Sequence, residues 1–333
     1  KNMKNGKMRA VIANSGNANA CAPNGMEKAQ KMCDITAKAL GIAPNEVFVC
    51  STGVIGVELD TTPIENNIDN LVSALSKNGG DDAANAILTT DTVKKEISLE
   101  CEIGGKTVKM GAMAKGSGMI HPNMGTMLCF ITTDANIESD VLQSVLLSVV
   151  KRTFNRVSVD GDTSTNDTAV VLASGLAGNE SIKEGTADYD AFYKMLFAVC
   201  EYLARAIAKD GEGATHLITC TVDGASTEAK AERLAKSIIS SSLTKAAMFG
   251  ADANWGRVLC AMGYSGVQFD PEVVDLWFES AAGKIKIMEN GVSTGYSEEE
   301  ATKILSEPEV TAIADVKMGD ATATAWGCDL TYD

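Results

Sequence analysis

The sequence predicts an α/β protein with mixed, largely antiparallel sheets covered by helices. Short apolar runs bounded by turn residues, such as Val11–Ala13 and Val47–Cys50, predict strands. Gly25–Leu40 has apolar residues at helical spacing and predicts a helix. Polar and apolar residues alternate over Glu96–Met110, around the glycine pair of Ile103–Lys106, and this pattern predicts a hairpin.

The rest of the chain continues the alternation of helices and strands. Beyond Gly263 several short alternating segments predict a second α/β unit, so we expect domains at 1–222 and 223–333. Helical spacing predicts further helices over Ile64–Leu75, Asp81–Ile87, Ser139–Arg156, Ala187–Lys209 and Glu228–Ile239, and apolar runs predict strands over Leu128–Thr133, His216–Val222, Leu276–Glu279 and Val310–Val316.

Composition bounds the class of protein. The chain has 333 residues, 45% of them hydrophobic, and no apolar run long enough to span a bilayer, so we expect a soluble globular protein. A net charge of −15 argues against nucleic acid or an anionic membrane as partner, because both require a basic surface. The charged segment Lys1–Met8 is not followed by an apolar core, so no signal peptide is visible and we expect a cytoplasmic location.

The number and spacing of cysteines and histidines limit the kinds of metal, redox and catalytic site that the chain could form. The nine cysteines include no pair at the spacing of zinc or redox sites, and we expect small buried side chains in a reducing cytosol. His121 and His216 are the only histidines, too few for a histidine-built metal site or triad. We therefore expect no metal and no cofactor, and a nucleophile that is activated by other means.

The pair Gly125-Thr126 lies between a polar, glycine-rich stretch and the apolar run that begins at Leu128. A threonine hydroxyl is a weak nucleophile unless a base is near, and a chain cut before Thr126 supplies its own α-amino group. That group titrates at about 7.7–8.0, so much of it can accept a proton near neutral pH. Gly125 tolerates strained torsions and leaves its carbonyl open to attack. A plain turn into a strand explains the same pair, so these residues alone leave the question open.

Several longer strings occur in a characteristic order along nearly the whole chain. They are Arg9–Ala20, Ser51–Gly56, Thr89–Thr92, Ala114–Ile120, Met124–Leu128, Ser158–Thr168, Gly211–Thr215 and Lys245–Arg257. With these strings the sequence resembles the ArgJ family, the ornithine acetyltransferases or glutamate N-acetyltransferases. The resemblance implies a layered αββα core and a longer protein, with a segment before Lys1 and a tail after Asp333.

The resemblance also implies an activity in arginine biosynthesis. After autoproteolysis between Gly125 and Thr126, the new terminal threonine would carry acetyl from N2-acetyl-L-ornithine to L-glutamate. Neither residue pattern nor composition decides whether acetyl-coenzyme A is a second donor. The family is expected to assemble as an α2β2 heterotetramer of the cleaved fragments.

Thr52 and Gly53 follow an apolar strand in a loop with two glycines, which lets backbone N–H groups approach a ligand. By the resemblance, the Thr52 hydroxyl and the Gly53 amide form the oxyanion hole. An ordinary strand-to-helix turn is the alternative interpretation.

Three further residues match substrate-binding positions of the family. Lys115, on a glycine-flexible loop, would pair with the α-carboxylate of an amino acid, and Glu212 would hold the ammonium group of ornithine. Thr92 matches a substrate-binding threonine, although Thr90 is close enough to leave the register open. Solvated loop side chains are the alternative for Lys115 and Glu212, and Asp91 suits turn chemistry.

Two rival functions stay open. An N-terminal-threonine hydrolase or aminopeptidase uses the same cleavage and passes the acyl group to water. An uncleaved amino-acid-binding relative would keep the fold without turnover. The resemblance further implies that an asparagine and a hydroxyl residue of the tail expected after Asp333 bind substrate.

Overall fold

A computed structural model describes residues 6–121 and 127–331 of the 333. The chain forms two compact units, and each is built from several stretches of sequence. The domain boundary predicted between residues 222 and 223 stays a prediction. Unit 1 comprises the described residues of 6–116, 127–151 and 163–203, and unit 2 comprises those of 117–121, 152–162 and 204–331.

Helices and strands are interspersed along the described chain. The helices are α1 Gly25–Leu40, α2 Thr62–Ser73, α3 Gly80–Ala86, α4 Ser139–Arg152, α5 Ala187–Lys209, α6 Glu228–Ser240, α7 Ser242–Phe249, α8 Trp255–Gly263 and α9 Glu298–Leu305. The strands are β1 Ala10–Asn17, β2 Val47–Val54, β3 Lys95–Ile103, β4 Lys106–Lys115, β5 Leu128–Thr133, β6 Val157–Ser158, β7 Thr168–Ala173, β8 Leu217–Ala225, β9 Asp275–Ser280, β10 Gly283–Glu289, β11 Val292–Ser293, β12 Glu309–Asp315 and β13 Ala321–Cys328.

Unit 1 has a layered core. The parallel pair β1-β2 packs against one face of a four-stranded sheet in the order β3-β4-β5-β7, through a cluster that includes Cys50 and Phe130. Helix α1 covers the outer face of β1-β2, where Cys33 packs with Val47. On the opposite face of the larger sheet, the Cys101 sulfur lies 3.6 Å from that of Met195 in α5. The order of layers is therefore αββα, as the family resemblance implies.

Unit 2 is built on a seven-stranded mixed sheet with the order β11-β10-β9-β12-β8-β13-β6. Helix α6 packs on β8 and β13 and contributes Ala231, Leu234 and Ile238, all fully buried and spaced three to four residues apart. In both large sheets, antiparallel neighbours are combined with parallel ones. The predicted class, a mixed α/β protein, is confirmed.

Most predicted elements are confirmed, but the helix predicted over Ser139–Arg156 ends at Arg152. Thr153 has φ −122° and ψ −91°, outside the helical region, and a short 3-10 turn follows over Phe154–Arg156. The turn buries Phe154 and lets Arg156 pair with Glu228 at 2.6 Å. Tertiary contacts thus end a helix that apolar spacing alone would extend.

Within the described residues, no helix is long and apolar enough to cross a membrane. All nine cysteines lie in the described ranges. Six of them are buried, Cys101 is half-buried, and Cys21 and Cys260 are exposed. The expectation of buried cysteines therefore fails at Cys21 and Cys260, which lie on the surface.

Candidate active site

The predicted cleavage pair Gly125-Thr126 lies outside the described residues, and the described chain resumes at Met127. Met127 is buried, and its backbone is held on both sides. Its N–H donates to the Asp167 carboxylate, and its carbonyl accepts from the Thr168 N–H at 2.7 Å. The entry into β5 is thus fixed by the residues that begin β7.

Thr52 and Gly53 lie within β2 itself, opposite Ser15 and Gly16 of β1, and not in a strand-to-helix turn. Thr52 is completely buried. Gly53 has φ +125°, and a Cβ there would overlap the backbone of Gly16 and Asn17. Only glycine fits this close approach of two strands, because its backbone can adopt the torsion and needs no side-chain space.

Asn166 ties this strand to the start of β7. Its Nδ2 donates to the Asn19 side-chain oxygen and to the Ser51 carbonyl, both at 2.9 Å. Because Asp167 comes next in the chain, one short segment contacts both the neighbour of Thr52 and the Met127 amide. Unit 1 therefore brings these groups to one edge of its sheets.

A buried cluster of charges lies at the end of β4, at the same edge. The Asp91 carboxylate accepts from Lys95 Nζ at 2.7 Å and from the Gly116 N–H at 2.7 Å. Lys115 Nζ lies 3.6 Å from Asp91 and donates to the Thr89 hydroxyl at 2.8 Å. Both side chains of the Asp91–Lys95 pair are fully buried. Asp91 also accepts from the Thr89 N–H, so the expected turn chemistry is present but is only part of its role.

Burial would raise the pKa of Asp91, but the Gly116 amide and the ammonium groups of Lys95 and Lys115 outweigh it and lower the pKa below its usual value. The carboxylate therefore stays ionised and holds both cations. Lys115 is the last residue of β4, opposite Leu128, and is 3% exposed. The expectation of a flexible loop lysine is wrong, because strand pairing and this ion cluster fix the side chain.

Asp167 has a different environment. Burial raises its pKa to about 7, against the opposing hydrogen bond from the Met127 amide. Its second oxygen, Oδ2, is buried and has no hydrogen-bond partner among the described residues. A carboxyl group with a pKa near 7 is therefore hydrogen-bonded to Met127, the residue before β5.

Glu212 belongs to unit 2 and follows α5. Its N–H donates to the Ser117 carbonyl at 2.9 Å, and its side chain is exposed. A Cβ at Gly118 would come within 2.5 Å of the Glu212 carboxylate. The loop around Gly118 therefore leaves room for this carboxylate because residue 118 has no side chain.

Thr92 follows Asp91 and is exposed, as is Thr90. The choice between them for substrate binding stays a prediction. Within the described ranges, no three side chains of His, Cys, Asp or Glu are grouped so as to hold a metal ion.

Sequence reasoning missed Asp167, Asn166 and Lys95. The first two lie inside the string Ser158–Thr168 that carries part of the family resemblance, so a signal was present. No pattern in the sequence indicated a role for Lys95, because its pairing with Asp91 depends on how the segment before β3 folds.

Fold and site together define a mixed α/β protein, with a buried charge cluster and closely packed strand ends at one sheet edge. The chain belongs to the ArgJ family, whose model matches residues 1–333.

Individual relatives agree with this membership. The arginine biosynthesis bifunctional protein ArgJ of Caldanaerobacter subterraneus subsp. tengcongensis is 51% identical over 331 residues, 99% of this chain and 82% of the relative. The protein of the same name from Symbiobacterium thermophilum is 53% identical over 329 residues, 98% of this chain and 81% of the relative. A crystal structure of the arginine biosynthesis bifunctional protein ArgJ from Bacillus halodurans matches with a TM-score of 0.59 and 49% identity, covering 61% of this chain and 94% of that one.

Proposed function

We propose that this enzyme transfers acetyl from N2-acetyl-L-ornithine to L-glutamate in arginine biosynthesis, through an acetyl ester on Thr126. Membership of the ArgJ family over the whole chain is the observation that carries the proposal. The relatives are named bifunctional proteins of arginine biosynthesis, which supports acetylation of glutamate from acetyl-coenzyme A as a second activity.

The first step is self-cleavage. The Thr126 hydroxyl oxygen attacks the Gly125 carbonyl carbon, and the Gly125–Thr126 C–N bond breaks as the nitrogen gains a proton. Water then hydrolyses the resulting ester to a Gly125 carboxylate and a free Thr126 hydroxyl. The new α-amino group becomes the base of the mature enzyme, since an N-terminal amine can accept the hydroxyl proton near neutral pH.

Acetyl transfer then takes two displacements. Thr126 attacks the acetyl carbonyl of acetylornithine, and the C–N bond to ornithine breaks as the leaving amine takes the proton. The amine of glutamate attacks the acetyl-threonine ester and returns the proton to the Thr126 oxygen. The Thr52 hydroxyl and the Gly53 amide serve as donors to the oxyanion in both halves, a role supported by the closely packed strand at Gly53.

Charged residues select the substrates. The Lys115 ammonium pairs with the α-carboxylate that both substrates share, and the preorganised cluster around Asp91 supports this role because it fixes the cation. Glu212 holds the side-chain ammonium of ornithine, and Thr92 contacts substrate. The cleaved fragments pair as an α2β2 heterotetramer in the cytoplasm.

The test begins with the intact mass of freshly purified protein under denaturing conditions. Wild type should give two fragments that meet between Gly125 and Thr126, and Thr126→Ala should give one chain. Thr126→Ser, which keeps the hydroxyl, serves as the matched control and should still be cut.

Kinetics then separate the rival activities. Cleaved enzyme should form acetylglutamate and ornithine with parallel double-reciprocal lines, as a double displacement requires. Release of acetate in place of acetylglutamate would identify a hydrolase. An uncut, inactive wild-type chain that still binds ornithine would identify a binding protein.

A further inference from the structure

The base of the mature enzyme does not exist before cleavage. In the uncut chain the Thr126 nitrogen is part of an amide and cannot accept a proton. The uncut chain therefore depends on groups already in place to hold the reacting peptide in a productive geometry, since such positioning supplies a large share of rate enhancement.

Asp167 is attached to this part of the backbone. The Met127 nitrogen, which donates to the Asp167 carboxylate, is the nitrogen of the peptide bond that follows Thr126. The Thr168 N–H holds the Met127 carbonyl at 2.7 Å. Parallel pairing of Leu128 with Thr168 continues the same alignment into the sheet. Met127 is thus held at its N–H by a side chain and at its carbonyl by strand pairing.

Burying the Asp167 carboxylate costs free energy that one hydrogen bond to the Met127 N–H does not recover. Asp167 Oδ2 is buried and has no hydrogen-bond partner within the described part of the chain. A buried charged group that lacks partners is disfavoured, so stability alone does not explain an aspartate here. A charge-assisted hydrogen bond is, however, roughly twice as strong as a neutral one, and this favours an anchor that must resist movement.

We propose that Asp167 is a positioning residue for self-cleavage, which acts by holding the Met127 amide, the group that follows the proposed nucleophile in the chain. The inference rests on the proposed function, because it assumes a cut before Thr126. Asp167 is not assigned to acetyl transfer itself.

The test follows self-cleavage of the full chain in time. Chains are made by cell-free synthesis with a labelled pulse, and intact mass at intervals gives the fraction cut. Asp167→Ala should slow cleavage by about 100-fold, since misplacement by about 1 Å can cost that much. Asp167→Asn keeps an oxygen that accepts from the Met127 N–H, so it should remain within about tenfold of wild type.

A matched control lies at the other end of β5. Asp134 accepts from the Lys109 N–H at 2.7 Å, so it also anchors backbone with a carboxylate. Asp134→Ala should be cut at the wild-type rate. A cooperative thermal transition in each variant, measured on a Thr126→Ala background that keeps one chain, separates slow cleavage from failure to fold.

The outcomes are distinct. If wild type is cut and Asp167→Ala is cut equally fast, the positioning role of Asp167 is refuted while the proposed function stands. The positioning role is also refuted if Asp167→Asn is as slow as Asp167→Ala, because the amide oxygen preserves the acceptor. A wild-type chain that stays whole, like Thr126→Ala, overturns both proposals.

Discussion

Asp91 and Asp167 are two carboxylates at the same edge of unit 1, and their surroundings drive their ionisation in opposite directions. Burial works against the charge at both sites. Around Asp91, two ammonium groups and a backbone amide reverse that effect and lower the pKa. Around Asp167, the Met127 amide only partly opposes it, and the pKa is raised to about 7.

Nearby hydrogen-bond donors and cations, more than the depth of burial, therefore decide whether a buried carboxylate stays ionised. The Asp91 cluster can hold cations in place because one ionised carboxylate faces both the Lys95 and the Lys115 ammonium groups. The pKa of Asp167 lies near 7 because only one group among the described residues, the Met127 N–H, donates to it. Variants around the two carboxylates test this difference.

Removal of Asp91 should have the largest effect. Asp91→Ala leaves the buried Lys95 without its carboxylate, and breaking a buried pair in this way costs about 3–5 kcal/mol. The free energy of unfolding in urea, measured on the Thr126→Ala background, checks this value. Glu100→Ala is the matched control, because the exposed Glu100–Lys109 pair should contribute less than about 1 kcal/mol. Equal losses in the two variants would contradict the importance of burial.

Removal of Lys115 should affect catalysis more than folding. Lys115→Met keeps the Asp91–Lys95 pair at 2.7 Å but deletes the proposed partner of the substrate carboxylate. A hydrogen bond to a charged group is worth about 1.5–3 kcal/mol, so kcat/KM should fall roughly 10- to 150-fold for both substrates. Steady-state kinetics check the value, and Lys109→Met, on the same strand but exposed, should match wild type. A loss for only one substrate would argue against contact with the shared carboxylate.

Asp167 should make stability depend on pH. Its folded pKa of about 7 lies above the usual unfolded value of about 3.9, so the folded state binds the extra proton. The stabilisation is complete below about pH 4 and is lost as the pH rises toward 7. Relative to Asp167→Asn, the wild type should lose on the order of 2 kcal/mol between about pH 5.5 and 8. Urea unfolding of both chains, with Thr126→Ala in each, checks this, and parallel pH curves would refute it.

The smallest effect should come from the exposed carboxylate of unit 2. Gly118→Ala places a methyl group within 2.5 Å of the Glu212 carboxylate, whose flexible end can move away. Folding should be unchanged while KM for acetylornithine rises a few-fold and KM for glutamate stays constant. Gly263→Ala, where a Cβ meets nothing within 4 Å, is the control. Equal changes in the two KM values would argue against a role of Glu212 in selecting the ornithine substrate.

Sequence alone predicted the class and most elements because local signals agree with the fold. Helix α1 has apolar spacing and ends before Gly41, which adopts the left-handed conformation at φ +64°. The hairpin of β3 and β4 turns at its glycine pair. These features depend on neighbours in the chain, so a pattern can reveal them.

The site was harder to predict because its contacts join distant segments. Met127 and Asp167 are 40 residues apart, and Asn166 reaches Ser51 across 115. Parallel pairing of β5 with β7 accompanies the first contact, and the second joins the start of β7 to β2 in the other sheet. No local pattern encodes either arrangement. Thr52 and Gly53 could be proposed from the resemblance, but the need for glycine at 53 emerges only from the neighbouring backbone.

The ladder between β4 and β5 has a consequence for the two fragments of the proposed cleavage. It runs from Met110–Thr133 to Lys115–Leu128, so a cut before Thr126 would leave one strand of each pair on each fragment. Apart, each fragment would expose an unpaired inner edge and tend to aggregate. The two fragments should therefore behave as a split protein. Separately produced 1–125 and 126–333 should regain solubility only when they are mixed, because pairing of β4 with β5 brings them together again.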